Sequence, residues 1–128
     1  MSKKQYGSGL RRKFINETNF NKVFYIKSRF CRKCSTFDQV MDKVNQQLQL
    51  EYGRSVVEIV QFDSQIGVER RNYSVLLDVL EVNKIKVKTT PTLVKVNPNG
   101  EVISKLEGIK NEREVLEFYN YSNNTNDE

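Results

Sequence analysis

The sequence predicts an α/β protein with a mixed central sheet and helices on both of its faces. Short β-branched or aromatic runs alternate with apolar stripes of helical spacing. Two of the later runs are separated by a turn sequence, which indicates a hairpin. A chain of 128 residues, 38% of them hydrophobic, builds one compact core and is too short for two. These observations favour a single folded unit.

The first strand, helix and second strand are predicted between residues 23 and 62. Residues 23–26 form a short apolar run between two lysines, which is typical of a buried strand. A helix from near residue 32 to near residue 50 is predicted from apolar residues at three- and four-residue steps, namely Phe37, Val40, Met41, Val44 and Leu48. Gly53 breaks this pattern, and residues 56–62 form a nearly continuous apolar strand that we expect to be covered on both faces.

The second half predicts a helix, a hairpin and a final helix. The helix ends near Asn83 and is predicted from the stripe Tyr73, Leu76, Leu77 and Leu80, with Val79 beside it. The period then changes to two, so residues 92–96 and 102–106 form strands around a turn at residues 97–100. Asn111 and Glu114 have the spacing of a capping box at the start of the last helix. The order is therefore βαβαββα.

The ends of the chain have compositions unlike the middle. Residues 1–13 are basic and interrupted by glycines, so we predict a flexible basic leader. Residues 122–128 are Asn-rich and acidic and are predicted to be a disordered tail. Since no linker or repeat interrupts residues 14–121, these are predicted to form one domain.

Composition excludes several classes of function. The chain has no His, which excludes Ser-His-Asp and Cys-His catalysis and any His-ligated metal. Apolar runs are far too short for a membrane span, and no secretory signal is recognisable, so a cytoplasmic location is expected. The basic leader has no accompanying aromatic platform or DNA-binding motif, so nucleic-acid binding is not predicted as the main function.

The two cysteines are the strongest functional signal. Cys31 and Cys34 are the only cysteines, and a close pair in an intracellular chain indicates redox chemistry or metal binding. Zinc requires four ligands, so it would need a site shared between two chains. No metal is predicted as a cofactor. A pair of small buried side chains is the remaining structural interpretation.

The motif Cys31-Arg32-Lys33-Cys34 after the first strand, with Thr90-Pro91-Thr92 opening the hairpin, resembles the thioredoxin superfamily. The resemblance covers roughly residues 20–120. It implies the thioredoxin fold and a thiol–disulfide oxidoreductase that needs no cofactor. It also implies protein disulfide substrates, a monomer, and electrons from a flavoprotein thioredoxin reductase or from small thiols.

The residues around the pair suggest how it would react. A thiolate is the attacking species, and a thiol at the start of a helix is favoured as the anion by the helix dipole. Arg29, Arg32 and Lys33 add positive charge nearby, so we expect a depressed pKa for Cys31. Cys34, one turn further along, is then the resolving thiol. The same three cations are also consistent with a solvated surface and no further role.

The resemblance also assigns a substrate contact. It implies a cis peptide bond between Thr90 and Pro91, with the Thr90 backbone pairing to an extended substrate segment. Phe30 takes the place of a Trp common in thioredoxins and would contact substrate. A trans Pro91 at the start of an edge strand is the alternative.

Two departures from the family leave the direction of the reaction open. Arg32 and Lys33 replace the usual Gly-Pro and should make the pair more oxidising, and Tyr25 stands where the family has a buried acid. A reductant is the favoured interpretation. A protein thiol oxidase or isomerase, and a non-catalytic docking module, are the alternatives.

Overall fold

The computed structural model describes residues 20–61 and 67–121. The predicted leader (1–13), the predicted tail (122–128) and residues 14–19 of the predicted domain lie outside the described residues. The strands are β1 (Lys22–Lys27), β2 (Val57–Gln61), β3 (Thr92–Val96) and β4 (Val102–Glu107). The helices are α1 (Arg32–Tyr52), α2 (Gly67–Asn83) and α3 (Glu112–Tyr121). The predicted order of elements is confirmed.

The four described strands form one mixed sheet in the order β2-β1-β3-β4. β1 is parallel to β2, whereas β3 is antiparallel to both β1 and β4. Ile26, near the end of β1, pairs with Thr92, the first residue of β3. The C-terminal end of β1 and the N-terminal end of β3 therefore lie side by side, at the same end of the sheet.

The helices cover both faces of the sheet, as predicted. Because side chains alternate along a strand, β1 contributes Val23 and Tyr25 to one face and Phe24 and Ile26 to the other. On the first face the core is completed by residues of α1 and α3, including Phe37, Met41, Val44, Leu48, Val115 and Phe118. On the second face α2 supplies Val75, Leu76 and Val79.

The predicted packing is wrong at two places. On α2 the buried residues are Val75, Leu76 and Val79, while Leu77 is 46% exposed. The two leucines at 76 and 77 are adjacent, so the sequence pattern did not resolve which faces the sheet. The second error concerns β2, which we expected to be covered on both faces. Ile59 is 43% exposed because β2 lies at one edge of the described sheet.

The ends of the elements follow the local sequence signals. Gly53 ends α1 with a φ of 74°, and its N–H donates to the Gln49 carbonyl at 2.8 Å. A residue with a β-carbon is disfavoured in this left-handed conformation. The capping box at α3 is also formed, since the Glu114 N–H donates to Asn111 Oδ1 at 2.8 Å and the Asn111 N–H donates to Glu114 Oε1 at 3.0 Å.

A buried lysine fastens α3 to the sheet. Lys95 of β3 is fully buried, and its Nζ donates to the carbonyl oxygens of Phe118 (2.8 Å) and Tyr119 (2.9 Å). These carbonyls belong to the C-terminal half of α3, where the helix dipole favours a positive charge. Burial nevertheless lowers the pKa of Lys95 to about 8.

Within the described residues no helix is both long and apolar enough to cross a membrane.

The lowered pKa of Lys95 predicts that the free energy of unfolding rises with pH. Between pH 8 and 10 the unfolded lysine, with its ordinary pKa of 10.5, binds more protons than the folded one. The free energy of unfolding should therefore rise by about 2 kcal/mol over this range. Denaturant unfolding of the disulfide-bonded form, in which the cysteines do not titrate, measures this rise.

The control for that experiment is Lys95→Met, which should remove the rise. Above about pH 10 stability should fall in both proteins, since burial raises the pKa values of Tyr25 and Tyr119 in the folded state above their ordinary 10.0. Equal slopes for the two proteins between pH 8 and 10 would contradict the assignment.

Candidate redox site

The two cysteines lie where β1 leads into α1. Two hydrogen bonds to Ser28 hold the connecting loop: the Cys31 N–H donates to its carbonyl oxygen (3.2 Å) and the Phe30 N–H donates to its Oγ (3.2 Å). Cys31 is the N-cap residue of α1, with φ −89° and ψ 104°. The short loop after β1 therefore places Cys31 at the start of α1.

Cys31 and Cys34 form a disulfide with their Cα atoms 5.2 Å apart. Cys31 is partly exposed, whereas Cys34 is 1% exposed. The Cys34 N–H donates to Cys31 Sγ at 3.1 Å. In the reduced protein this N–H and the helix dipole favour a negative sulfur at Cys31. The pair thus has one accessible sulfur and one enclosed sulfur.

The charged residues of the motif are adjacent to Cys31 in the chain and exposed. Arg32 and Lys33 are exposed on the first turn of α1, which contains no acidic residue. The guanidinium of Arg29 lies 5.3 Å from the centre of the Phe30 ring, and Phe30 itself is 83% exposed. Their roles in stabilising a thiolate and in contacting substrate stay predictions.

A polar cleft of about 280 Å³ opens beside the disulfide. It brings together Cys31, Cys34 and Arg29 with residues that the sequence did not single out. The lining residues of this polar cleft are Lys27, Ser28, Arg29, Cys31, Cys34, Ser35, Asp38 and Gln61. They come from the end of β1, the following loop, α1 and the end of β2.

An ion pair and a tyrosine stand at the inner side of the cleft. Lys27 Nζ lies 2.8 Å from both carboxylate oxygens of Asp38, and the Tyr25 hydroxyl lies 2.7 Å from Asp38 Oδ1. The same hydroxyl lies 3.2 Å from the Cys34 carbonyl oxygen. Burial, followed by the hydrogen bond to Asp38, raises the pKa of Tyr25 well above its ordinary 10.0. Tyr25 therefore stays a neutral hydrogen-bond donor at physiological pH.

Thr90 and Pro91 lie at the sheet edge where β1 ends. The peptide bond between them is cis, as the resemblance implies, and the trans alternative is wrong. Pro91 is buried, and its carbonyl oxygen accepts from the Gly108 N–H at 2.9 Å. Thr92 Oγ1 donates to the Thr89 carbonyl at 2.7 Å, which fixes the turn into β3. Thr90 is partly exposed.

Thr90 also lines an apolar groove of about 360 Å³ between α2 and the segment before β3. This groove is lined by Ile26, Tyr73, Leu76, Leu77, Leu80, Val87, Lys88, Thr89 and Thr90. The sequence prediction had assigned Tyr73, Leu77 and Leu80 to the core. Tyr73 and Leu80 are partly buried and do pack against the core of this face, whereas Leu77 is exposed. All three also line the wall of this surface groove next to the cis-proline turn.

Asp38 and Lys27 were missed at the level of sequence, although a spacing signal existed. Asp38 follows Cys34 by four residues, and residues four apart lie on the same face of a helix. Nothing comparable in the sequence indicates Lys27 as its partner, because that contact joins a strand to a helix. Among the described residues, no group of three or more Cys, Asp or Glu side chains is placed to hold a metal ion.

Comparison with solved structures identifies the fold. A thioredoxin from Aeropyrum pernix matches with a TM-score of 0.61 and 22% identity, covering 84% of this chain and 78% of its own. Thioredoxin O2 from Arabidopsis thaliana in its oxidised state matches with a TM-score of 0.54 and 16% identity, covering 88% and 84%. A malaria parasite thioredoxin-2 matches with a TM-score of 0.51 and 20% identity, covering 77% and 80%. No protein-family model and no curated protein matches the chain.

The chain therefore has the thioredoxin fold, and the resemblance stated from its motifs is confirmed at that level. The fold positions a disulfide-forming Cys-x-x-Cys pair at the start of α1. Fold and cysteine pair together support thiol–disulfide oxidoreductase chemistry as the general class.

The charges on the first turn of α1 predict a measurable effect on Cys31. Replacing Arg32 and Lys33 together by Glu should raise the pKa of the reduced Cys31 thiol by about one unit, because two nearby cations become anions. The ultraviolet absorbance of the thiolate, followed against pH, measures this pKa. The shift should shrink in high salt, since exposed charges are screened.

The matched control is Lys43→Glu, an exposed charge reversal two turns or more further along α1. It should leave the Cys31 pKa nearly unchanged. An unchanged pKa in the Arg32/Lys33 variant at low salt would mean that these residues are only a solvated surface.

Proposed function

We propose that this protein is a thiol–disulfide oxidoreductase that exchanges its Cys31–Cys34 pair with protein disulfides, acting as a reductant. The observation that carries the proposal is the asymmetry of the pair: Cys31 is accessible at the N-cap of α1, and Cys34 is buried one turn inside. An outer sulfur can attack a substrate disulfide, whereas an inner sulfur can reach only the outer one. This division of roles is what a two-step exchange requires.

The proposed reaction proceeds through a mixed disulfide. The Cys31 thiolate attacks one sulfur of the substrate disulfide, forming a bond to it and releasing the other sulfur as a thiolate. Cys34 then loses its proton and attacks Cys31 Sγ, which forms the Cys31–Cys34 disulfide and releases the second substrate sulfur. The substrate disulfide gains two electrons, and the protein dithiol loses two.

The surroundings of the pair favour protein substrates. Phe30 is 83% exposed on the loop before Cys31 and offers an apolar contact. Thr90 and cis-Pro91 lie at the end of the sheet where β1 also ends, which supports a role for the Thr90 backbone in pairing with an extended substrate segment. The apolar groove beside Thr90 would accept a hydrophobic side chain of that segment. An extended polypeptide next to a disulfide would meet all three features.

The reducing direction requires a source of electrons. The proposal places the protein in the cytoplasm, where thiols are kept reduced. A flavoprotein thioredoxin reductase or low-molecular-weight thiols would regenerate the dithiol. No cofactor is required, and one chain supplies both sulfurs, so the protein would act as a monomer. A protein thiol oxidase or isomerase is the second candidate, favoured by the exposed Arg32 and Lys33, which would stabilise the thiolate form.

The redox potential distinguishes these two directions. A reductant should have a two-electron midpoint near that of thioredoxin, about −270 mV, whereas an oxidase or isomerase would lie near −120 to −180 mV. Equilibration in thiol/disulfide buffers, followed by alkylation of free thiols and mass measurement, gives the midpoint. A midpoint in the higher range would replace the reductant by the oxidase or isomerase.

Capture of the mixed disulfide tests the two-step exchange with insulin as a defined protein disulfide. The wild-type protein should accelerate insulin reduction by dithiothreitol. Reduced Cys34→Ser, freed of dithiothreitol before it is mixed with insulin, should instead accumulate a covalent complex with an insulin chain, because no other thiol of the protein resolves the bond at Cys31. Cys31→Ser, the matched control, should form far less of this complex. If the wild-type protein neither reduces insulin nor forms its own disulfide at any potential, a non-catalytic docking module becomes the better interpretation.

A further inference from the structure

In the resolving step of the proposed exchange, the Cys34 thiol must give up its proton. Cys34 is 1% exposed, and an enclosed thiol must lose its proton before it can attack Cys31. Burial in apolar surroundings opposes the formation of the anion. A proton acceptor close to Cys34 would therefore accelerate the step. The described residues around the pair contain one carboxylate that opens into the same cleft, that of Asp38.

Asp38 is placed on the correct side of α1. It follows Cys34 by four residues, so their β-carbons are about 5–6 Å apart on one face of the helix. Both residues line the polar cleft, whose volume of about 280 Å³ accommodates water. Since both side chains line this cleft, one water molecule within it can bridge the Cys34 sulfur and the Asp38 carboxylate. The cleft therefore connects the Cys34 thiol to the Asp38 carboxylate.

The carboxylate is held in place by β1. The Lys27 ammonium contacts both of its oxygens at 2.8 Å, and the Tyr25 hydroxyl contacts Oδ1 at 2.7 Å. Tyr25 packs edge-on against Phe37, with ring centres 5.5 Å apart, which fixes the phenol. The hydroxyl also lies 3.2 Å from the Cys34 carbonyl oxygen. These contacts tie Asp38 to the turn of α1 that carries Cys34.

We propose that Asp38 accepts the proton of Cys34 through a water molecule in the polar cleft during the resolving step, with Tyr25 and Lys27 as positioning residues. This inference rests on the proposed function. The Cys34 S–H bond breaks and the proton moves to the Asp38 carboxylate. The Cys34 thiolate then bonds to Cys31 Sγ, and the bond from Cys31 to the substrate sulfur breaks. That sulfur leaves with the electron pair and takes up the proton, which restores the carboxylate.

The other groups that face the cleft or Asp38 are less suited to accept this proton. Lys27 and Arg29 are cations whose nitrogens only donate hydrogen bonds, so neither side chain can accept a proton. Tyr25 has a raised pKa and donates its hydrogen. Ser35 and Gln61 are neutral. Asp42, one turn further along α1, is exposed. The Cys31 sulfur is already bonded to the substrate at this stage.

Rapid mixing of the reduced protein with oxidised glutathione tests the proposal. Acid quenching at successive times, followed by mass measurement, separates the formation of the protein–glutathione mixed disulfide from its resolution. In Asp38→Asn, which keeps a hydrogen-bond acceptor for Tyr25, the resolution rate at neutral pH should fall roughly 100-fold or more. The mixed disulfide should accumulate, while its formation by Cys31 changes little.

The pH profile distinguishes proton transfer from a merely structural role. Between about pH 6 and 8 the wild-type resolution rate should be nearly level, since the carboxylate takes the proton. In Asp38→Asn it should rise about tenfold per pH unit, because only the spontaneously ionised fraction of Cys34 reacts. Asp38→Glu should restore part of the rate and the level profile. Tyr25→Phe should slow resolution less than Asp38→Asn, because the carboxylate remains.

The matched control is Asp42→Asn, which removes an exposed carboxylate from the same helix and should resolve at the wild-type rate. Denaturant unfolding of each variant confirms that it is folded. A wild-type-like rate and pH profile in folded Asp38→Asn overturns the inference but leaves the proposed function intact. If the wild-type protein forms no mixed disulfide and no Cys31–Cys34 disulfide, the proposed function itself fails.

Discussion

Strand β1 is hydrogen-bonded along both edges and packed on both faces, and the rest of the structure depends on this arrangement. It pairs with β2 on one side and β3 on the other. Its four central residues, 23–26, are at most 4% exposed and enter both cores. A strand held in this way has little freedom to move at its C-terminal end, and the loop that carries Cys31 begins there. The redox pair is therefore positioned by the most buried element of the fold.

The same constraint explains how polar groups are arranged near the site. Tyr25 lies on the α1 face of β1, so its hydroxyl reaches the helix at Cys34 and Asp38. Lys27, two residues further, lies on the same face and pairs with Asp38. In this chain the negative charge near Cys34 comes from the helix, and the strand supplies a phenol and a cation. Lys95 shows the same principle elsewhere, as a buried cation whose hydrogen bonds are supplied by helix carbonyls.

Much of the fold could be predicted because its signals are local. The hairpin turn, the capping box at Asn111 and the glycine that ends α1 act through neighbouring residues, and all are present as expected. The redox role of the cysteine pair was predicted from cysteines three residues apart at the start of a predicted helix. Errors arose where two local patterns were nearly equal, as with Leu76 and Leu77 of α2, and where coverage depended on a strand's place in the sheet, as with Ile59.

The sequence by itself determined the order of elements, the redox motif and the residue types around it, because helix periodicity, turns and short motifs are properties of adjacent residues. Only the tertiary structure decided which leucine of α2 faces solvent, that Lys95 is buried under α3, and that Lys27, Asp38 and Tyr25 meet beside Cys34. These outcomes depend on contacts between a strand and a helix whose relative rotation is set by packing of the whole core. No local pattern encodes that rotation.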